Sequence, residues 1–182
     1  MNIIETDISD VKLIELDNYP DDRGCFMESY QKIRYDDHGM NLSFVQDNLV
    51  YSKKNVLRGL HYQLNNPQGK LVQCIYGEIF DVAVDIRQGS ETYGDWVGFN
   101  LSQNNKNQLF IPPGFAHGYS VLSNESLVLY KCTNYYNPND EYGIIWNDRD
   151  LNINWKGNSF IISEKDLNNQ EFKIALKPTM KT

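Results

Sequence analysis

The stretch Ile79-Phe80-Asp81-Val82-Ala83-Val84-Asp85-Ile86-Arg87 decides how this chain is read. Phe80, Val82, Val84 and Ile86 are apolar, and Asp81, Ala83, Asp85 and Arg87 alternate with them. Side chains two apart share one face of a strand, so this is the pattern of a half-buried strand. The same period recurs further on. Val97, Phe99 and Leu101 alternate with Gly98 and Asn100, and Val128, Tyr130 and Cys132 interleave with Leu127, Leu129 and Lys131. Turn-forming clusters separate the runs: Pro20-Asp21-Asp22-Arg23-Gly24, Asn65-Asn66-Pro67-Gln68-Gly69, Gln88-Gly89-Ser90 and Pro112-Pro113-Gly114. Many short strands punctuated in this way predict an all-β sandwich or barrel. Helical signals are confined to two short segments, residues 29–36 and 164–169. A strand with one polar face also raises a functional question. In a rolled sheet such a face can line a ligand cavity instead of meeting bulk water.

The 182 residues read as one domain over 1–182, with 173–182 as a surface tail. The chain is 41% hydrophobic and 13% aromatic, which places it among globular chains and excludes disorder. Lys and Arg total 17 against 24 Asp and Glu, for a net charge of -7. With no basic run, binding of nucleic acid is not expected. No stretch approaches the ~20 apolar residues of a membrane-spanning helix. The start, Met1-Asn2-Ile3-Ile4-Glu5, has no basic segment followed by an apolar one, so no secretory signal is expected. Cys25, Cys74 and Cys132 are scattered and odd in number, which argues against a disulfide framework and for the reducing cytoplasm.

Histidine is scarce: His38, His61 and His117. His61 lies in Val56-Leu57-Arg58-Gly59-Leu60-His61-Tyr62-Gln63, where strand alternation puts Arg58, Leu60 and Tyr62 on one face. Gly59, His61 and Gln63 share the other, and a histidine between glycine and glutamine there is a candidate to line a cavity. His117 closes Pro112-Pro113-Gly114-Phe115-Ala116-His117, which matches the P-x-G-x-x-H motif of cupin barrels. The first cupin motif normally supplies H-x-H and a Glu to a metal. Here that place reads His61-Tyr62-Gln63, and two lone histidines make a poor metal site. The resemblance implies a cupin-type jelly-roll barrel with a few short peripheral helices and no metal.

A more specific resemblance spans residues 3 to 166. Seven blocks occur in order: R-G-x-F-x-E-x-Y from Arg23, L-R-G-L-H-Y-Q from Leu57, Q-G-K-L-V from Gln68, G-E-I-F-D-V-A-V-D-I-R from Gly77, P-P-G-F-A-H-G from Pro112, Y-K-C-T-x-Y-Y from Tyr130 and W-N-D from Trp146. Together they resemble the dTDP-4-dehydrorhamnose 3,5-epimerase family. That family inverts C3 and C5 of a nucleotide-linked 4-keto-6-deoxyhexose on the way to L-rhamnose. Both carbons flank the C4 ketone, so removal of either proton gives an enolate. The reaction needs a base, a stabiliser for the enolate oxygen and an acid on the opposite face, but no cofactor.

The resemblance also implies roles. His61 is the base, oriented by the carboxylate of Asp166. Lys70 faces the C4 oxygen, where a fixed cation favours the enolate over the ketone. Tyr130, a phenol protonated at neutral pH, is the acid. Tyr136 stacks on the thymine ring, with Tyr135 one residue away as the other choice. Arg23, Arg58 and His117 meet the diphosphate, each charge-assisted hydrogen bond contributing about 1.5–3 kcal/mol. Gln46, Asp47, Asn48 and Glu141 line the nucleotide or sugar pocket. Arg23 and Glu28 sit on a strand that, by resemblance, crosses to complete the neighbour's site in a homodimer; the plainer alternative is an Arg23–Glu28 ion pair within the chain. Three other readings stay open: a single-position epimerase or keto-isomerase, a cupin that only binds a nucleotide sugar, and a metal-dependent oxygenase.

Overall fold

A computed structural model describes residues 1–179 of the chain. The described residues form strands β1 (Asn2–Glu5), β2 (Lys12–Glu15), β3 (Tyr19–Asp21), β4 (Gly24–Phe26), β5 (Gln46–Lys53), β6 (Leu57–Gln63), β7 (Lys70–Tyr76), β8 (Glu78–Asp85), β9 (Trp96–Ser102), β10 (Gln108–Ile111), β11 (Phe115–Val121), β12 (Glu125–Cys132) and β13 (Glu141–Gly143). Two short helices, α1 (Lys32–Asp37) and α2 (Glu164–Leu167), flank them. The all-β expectation holds, and both helices fall inside or beside the segments expected to be helical. No helix among the described residues is long and apolar enough to cross a membrane.

The strands form two packed sheets. One runs β1-β2-β10-β7-β12-β5 and the other β13-β6-β11-β8-β9, while β3 and β4 form a separate hairpin. Between the sheets lies a core that includes Val72, Leu109 and Val128 from the first and Ile79, Ala83 and Val121 from the second. A second core covers the outer face of the five-stranded sheet. There Phe80, Val82, Val84 and Ile86 pack with Leu60, Ala116, Ile144, Leu151 and Phe172.

This arrangement changes the reading of the central strand. It is buried on both faces, not half-buried, because the segments after β13 form a third layer over it. Its apolar face looks outward into that layer. Its other face, with Asp81 and Ala83, looks into the space between the sheets. The polar side of the alternation therefore meets the interior and not solvent. Each large apolar side chain buried in this way contributes about 1.5–3 kcal/mol.

The last residues are tied into the same layer. Ala175 is buried, Tyr62 Oη donates to Leu176 O at 2.5 Å, and Gln88 N donates to Pro178 O at 2.8 Å. The expected surface tail thus runs over the surface as an anchored strap through Thr179, and its last three residues lie outside the described ones.

One irregularity places the site. Across β6 and β11 the paired residues are His61 with His117 and Arg58 with Tyr119, with a register shift between the two pairs. Gly59 takes a φ of +118°, a conformation that favours glycine. The strands touch there: a Cβ added to Gly118 would lie 2.6 Å from Arg58 O and 3.2 Å from Gly59 Cα. The break undoes strict alternation, so Arg58 and His61 reach the same side of the sheet, contrary to the simple strand reading. Gly118→Ala is expected to cost about 1–3 kcal/mol through overpacking against β6. Denaturant unfolding would show this as a lower midpoint with an unchanged slope; an unchanged midpoint would mean that the two strands tolerate separation.

Candidate active site

A cavity of about 350 Å³ opens between the two sheets, within the range of small-ligand sites. Arg58, His61 and Gln63 of β6 and His117 and Tyr119 of β11 form one wall. Gln46, Asn48 and Val50 of β5, Lys70 of β7 and Tyr130 of β12 form the other. Tyr136 and Glu141 stand at its edge. Residues remote in sequence meet because β5, β7 and β12 are adjacent in one sheet and β6 and β11 in the other.

His61 Nε2 lies 2.7 Å from Asp166 Oδ1. The carboxylate is buried, and it also accepts from Gly59 N at 3.3 Å. Its backbone is set by α2: Ser163 caps that helix by accepting from Asp166 N at 3.1 Å. Burial pushes the Asp166 carboxyl up, but the hydrogen bond and charge of His61 and the Gly59 N–H outweigh this, holding it below its ordinary value. An ionised Asp166 accepts from Nε2–H, which leaves Nδ1 as the ring's acceptor atom.

His117 repeats the motif one strand away. Its Nε2 lies 2.6 Å from Asp81 Oδ1, with both residues buried. Burial holds the imidazole below its ordinary value despite the pull of Asp81 in the other direction. A neutral His117 that donates from Nε2 offers its remaining nitrogen as an acceptor. Asp81 belongs to the non-apolar set of the central strand, and that alternation was the signal that could have marked it. Its counterpart Asp85 is used differently, gripping the turn after β8 through Arg87, Ser90 and Thr92.

On the opposite wall, burial pushes the Tyr130 phenol up to about 12. Burial also lowers the Lys70 ammonium from its ordinary value, with Cys132, Asp81 and Glu141 pulling the other way. Arg58 is anchored across the cavity, its Nε donating to Ser52 Oγ of β5 at 3.0 Å. Glu141 accepts from Tyr136 Oη at 2.7 Å and from Lys165 Nζ. Burial raises the Glu141 carboxyl, but these donors bring it below its ordinary value. Ser52 and Lys165 escaped the sequence reading. Lys165 adjoins Asp166, and only the fold turns it toward Glu141.

Three expected residues lie elsewhere in the single chain. Gln46, Asn48 and Val50 face the cavity, so Asp47 points to the opposite face of β5, where it pairs with Lys131 at 2.9 Å. Strand alternation forbids three consecutive residues from sharing a wall. Arg23 is 91% exposed on the β3–β4 hairpin and bonds Asp21. Glu28 pairs with Arg34 at 3.3 Å. The plainer expectation of an Arg23–Glu28 pair is therefore not the arrangement found.

A histidine–carboxylate pair, a half-buried lysine and a phenol kept protonated by burial around one cavity suit proton transfer next to a carbonyl. Relatives place the chain further. A family profile described as dTDP-4-dehydrorhamnose 3,5-epimerase matches residues 5–173. The dTDP-4-dehydrorhamnose 3,5-epimerase of Shigella flexneri is 53% identical over 177 residues, covering 96% of this chain and 98% of its own length. The crystal structure of a dTDP-6-deoxy-D-glucose-3,5-epimerase from Legionella pneumophila, in complex with dTDP-4-keto-L-rhamnose, superposes with a TM-score of 0.97 at 48% identity. It covers 100% of this chain and 99% of that one. The Bacillus anthracis enzyme of the same name as the Shigella protein, with TDP and PPi bound, gives 0.91 at 44% identity over 93% and 98% of the two chains. Sequence over nearly full length and backbone over the whole fold agree, and the chain belongs to the dTDP-4-dehydrorhamnose 3,5-epimerase family.

Proposed function

We propose that this cavity inverts C3 and C5 of dTDP-4-dehydro-6-deoxy-D-glucose, giving dTDP-4-dehydro-L-rhamnose. The observation that supports the reading is that His61 on β6 and Tyr130 on β12 face one space from opposite sheets. His61 Nδ1 takes the proton from the carbon next to the C4 ketone. The C–H electron pair forms the enolate double bond, and the carbonyl pair moves onto the C4 oxygen. Lys70 Nζ meets that developing charge. Tyr130 Oη–H then delivers a proton to the opposite face, and the enolate collapses to the ketone. Solvent returns a proton to Tyr130 and removes one from His61, so atoms and charge balance over the cycle.

Arg58 is the cation for the diphosphate, and Tyr136 is the stacking face for the thymine. His117, neutral and committed to Asp81, suits a sugar hydroxyl that donates to it better than it suits an anion. Gln46, Asn48 and Glu141 supply further polar contacts. The cytoplasm fits, since Cys25, Cys74 and Cys132 are all free thiols.

A homodimer accounts for what the single chain leaves exposed. Leu49 is 62% exposed and Tyr51 56% on the outer face of edge strand β5, and Phe26 is 68% exposed on the Arg23 hairpin. A second copy that covers this face and receives Arg23 and Glu28 into its own cavity would bury them all. Mixing Arg23→Ala chains with inactive His61→Ala chains is then expected to restore activity, because one of the two mixed sites regains both groups. Failure to recover, with mixed dimers shown to form, would mean that Arg23 serves its own chain.

Proton NMR with dTDP-4-dehydro-6-deoxy-D-glucose in heavy water tests the chemistry. The wild-type chain is expected to bring deuterium into both C3 and C5. His61→Ala is expected to lower both exchanges by at least ~100-fold, the usual worth of a general base. Tyr130→Phe should retain abstraction while slowing reprotonation of the far face. Exchange at one carbon only would move the protein to the single-position class.

The alkaline limb of kcat/KM has a definite sign. Lys70 works as a cation, and its lowered pKa makes it lose its proton before Tyr130 as pH rises. Tyr130 keeps its own to about 12. Lys70→Arg is therefore expected to shift the limb of the residual activity to higher pH. A pH–rate profile in which the limb stays put would reassign it to another group.

A further inference from the structure

The residues after β12 carry Tyr136, yet strand pairing does not hold their backbone. Glutamine side chains do. Gln68 Nε2 donates to Asn134 O at 2.8 Å, and Gln63 Nε2 donates to Tyr135 O at 3.2 Å. Gln46 Oε1 accepts from Tyr136 N at 2.9 Å, and Gln63 Oε1 accepts from Asn137 N at 2.8 Å. The three carboxamides come from β5, from β6 and from the turn before β7. Four successive residues are thereby fixed to three separate parts of the cavity wall.

Gln63 is the centre of this grip. It is buried, and its Nε2 also donates to Asn66 O at 2.7 Å. A primary amide has two N–H donors, and both are taken by backbone carbonyls. Although Gln63 lines the cavity, it has no donor left for a ligand. Its chemistry is directed at the loop. The far end of the Tyr136 ring is fixed as well, through Oη to Glu141. The ring is held at both ends, and the residue is 48% exposed.

We propose that Gln63 is a positioning residue, holding the 134–137 backbone so that Tyr136 presents a preset stacking face to the nucleobase. A platform ordered before binding spares the ligand the entropic cost of ordering it. The proposal rests on the reading of Tyr136 as the base platform.

Two measurements on full-length protein test it: amide hydrogen exchange at Tyr136 and Asn137, and calorimetric titration with dTDP. Gln63→Leu is expected to speed exchange at Asn137 and to weaken dTDP by about tenfold, which is about 1.4 kcal/mol. KM for the sugar nucleotide should rise with it while kcat changes little. In a Tyr136→Ala background the same substitution should leave dTDP affinity unchanged, since the platform is already gone. A tenfold loss in that background too would overturn the proposal, showing that Gln63 acts on the fold at large. If Gln63→Leu does not fold, half-buried Gln68→Leu, which loses one bond to Asn134 O, carries the same cycle with a smaller shift. Unprotected amides in a wild-type chain that binds dTDP would refute the clamp alone. Protected amides without dTDP binding would refute the nucleotide reading, and the platform with it.

Discussion

A carboxylate taken out of water costs several kcal/mol unless donors replace its hydration. Asp166 meets that condition inside this protein through His61 and the Gly59 N–H, while a capped helix turn fixes its backbone. Much of the cavity's order follows. The carboxylate comes from a turn near the end of the chain, while the imidazole comes from a strand near its first third. Their contact ties the α2 turn to β6 of the five-stranded sheet and selects the nitrogen that His61 presents. The Gly59 amide is available because β6 leaves regular geometry there, and that irregularity also brings Arg58 round to the cavity. The orientation of His61 and the entry of Arg58 into the cavity therefore share one local backbone feature.

The two walls divide the electrostatic work. On the five-stranded sheet each histidine faces its own aspartate, so the charge of each carboxylate is used locally. On the six-stranded sheet Lys70 and Tyr130 have no such carboxylate partner among the described residues, and burial moves both toward their neutral forms. A cation that is poorly solvated is primed for a developing oxyanion, because the stabilisation it gives is greatest where water is excluded. A phenol that resists ionisation remains a donor throughout the working range. The net charge of -7 is spread over exposed carboxylates screened over ~8 Å, whereas Arg58 and Lys70 line the cavity itself.

The sequence was informative where local rules govern, and uninformative where assembly does. Strand period over residues 79–87 identified the class of fold and raised the possibility of a lined cavity. It misjudged exposure, since nothing local announces a third layer over Phe80 and Val82. Ordered motifs brought His61, Lys70, Tyr130 and Asp166 to notice; the first three line one cavity, and Asp166 bonds His61. Asp47 was drawn in as a neighbour of Gln46 and Asn48, although alternation sends it to the other face. Asp81 was visible on the polar side of its strand, but its partner His117 lies on another strand. Ser52, Gln63 and Gln68 carry no chemical signature, and their roles exist only through the groups they touch.

The sequence by itself determined the β architecture, through hydrophobic period and turn chemistry, and it determined the family, through seven motifs in order. Both are properties of neighbours along the chain. Tertiary structure alone decided which aspartate serves which histidine, which ring nitrogen is free, and which glutamines hold the tyrosine loop. The physical reason is that hydrogen bonds act over about 3 Å, while the residues that make them here are separated by dozens of positions. Only the packing of two sheets and an outer layer turns those separations into contact.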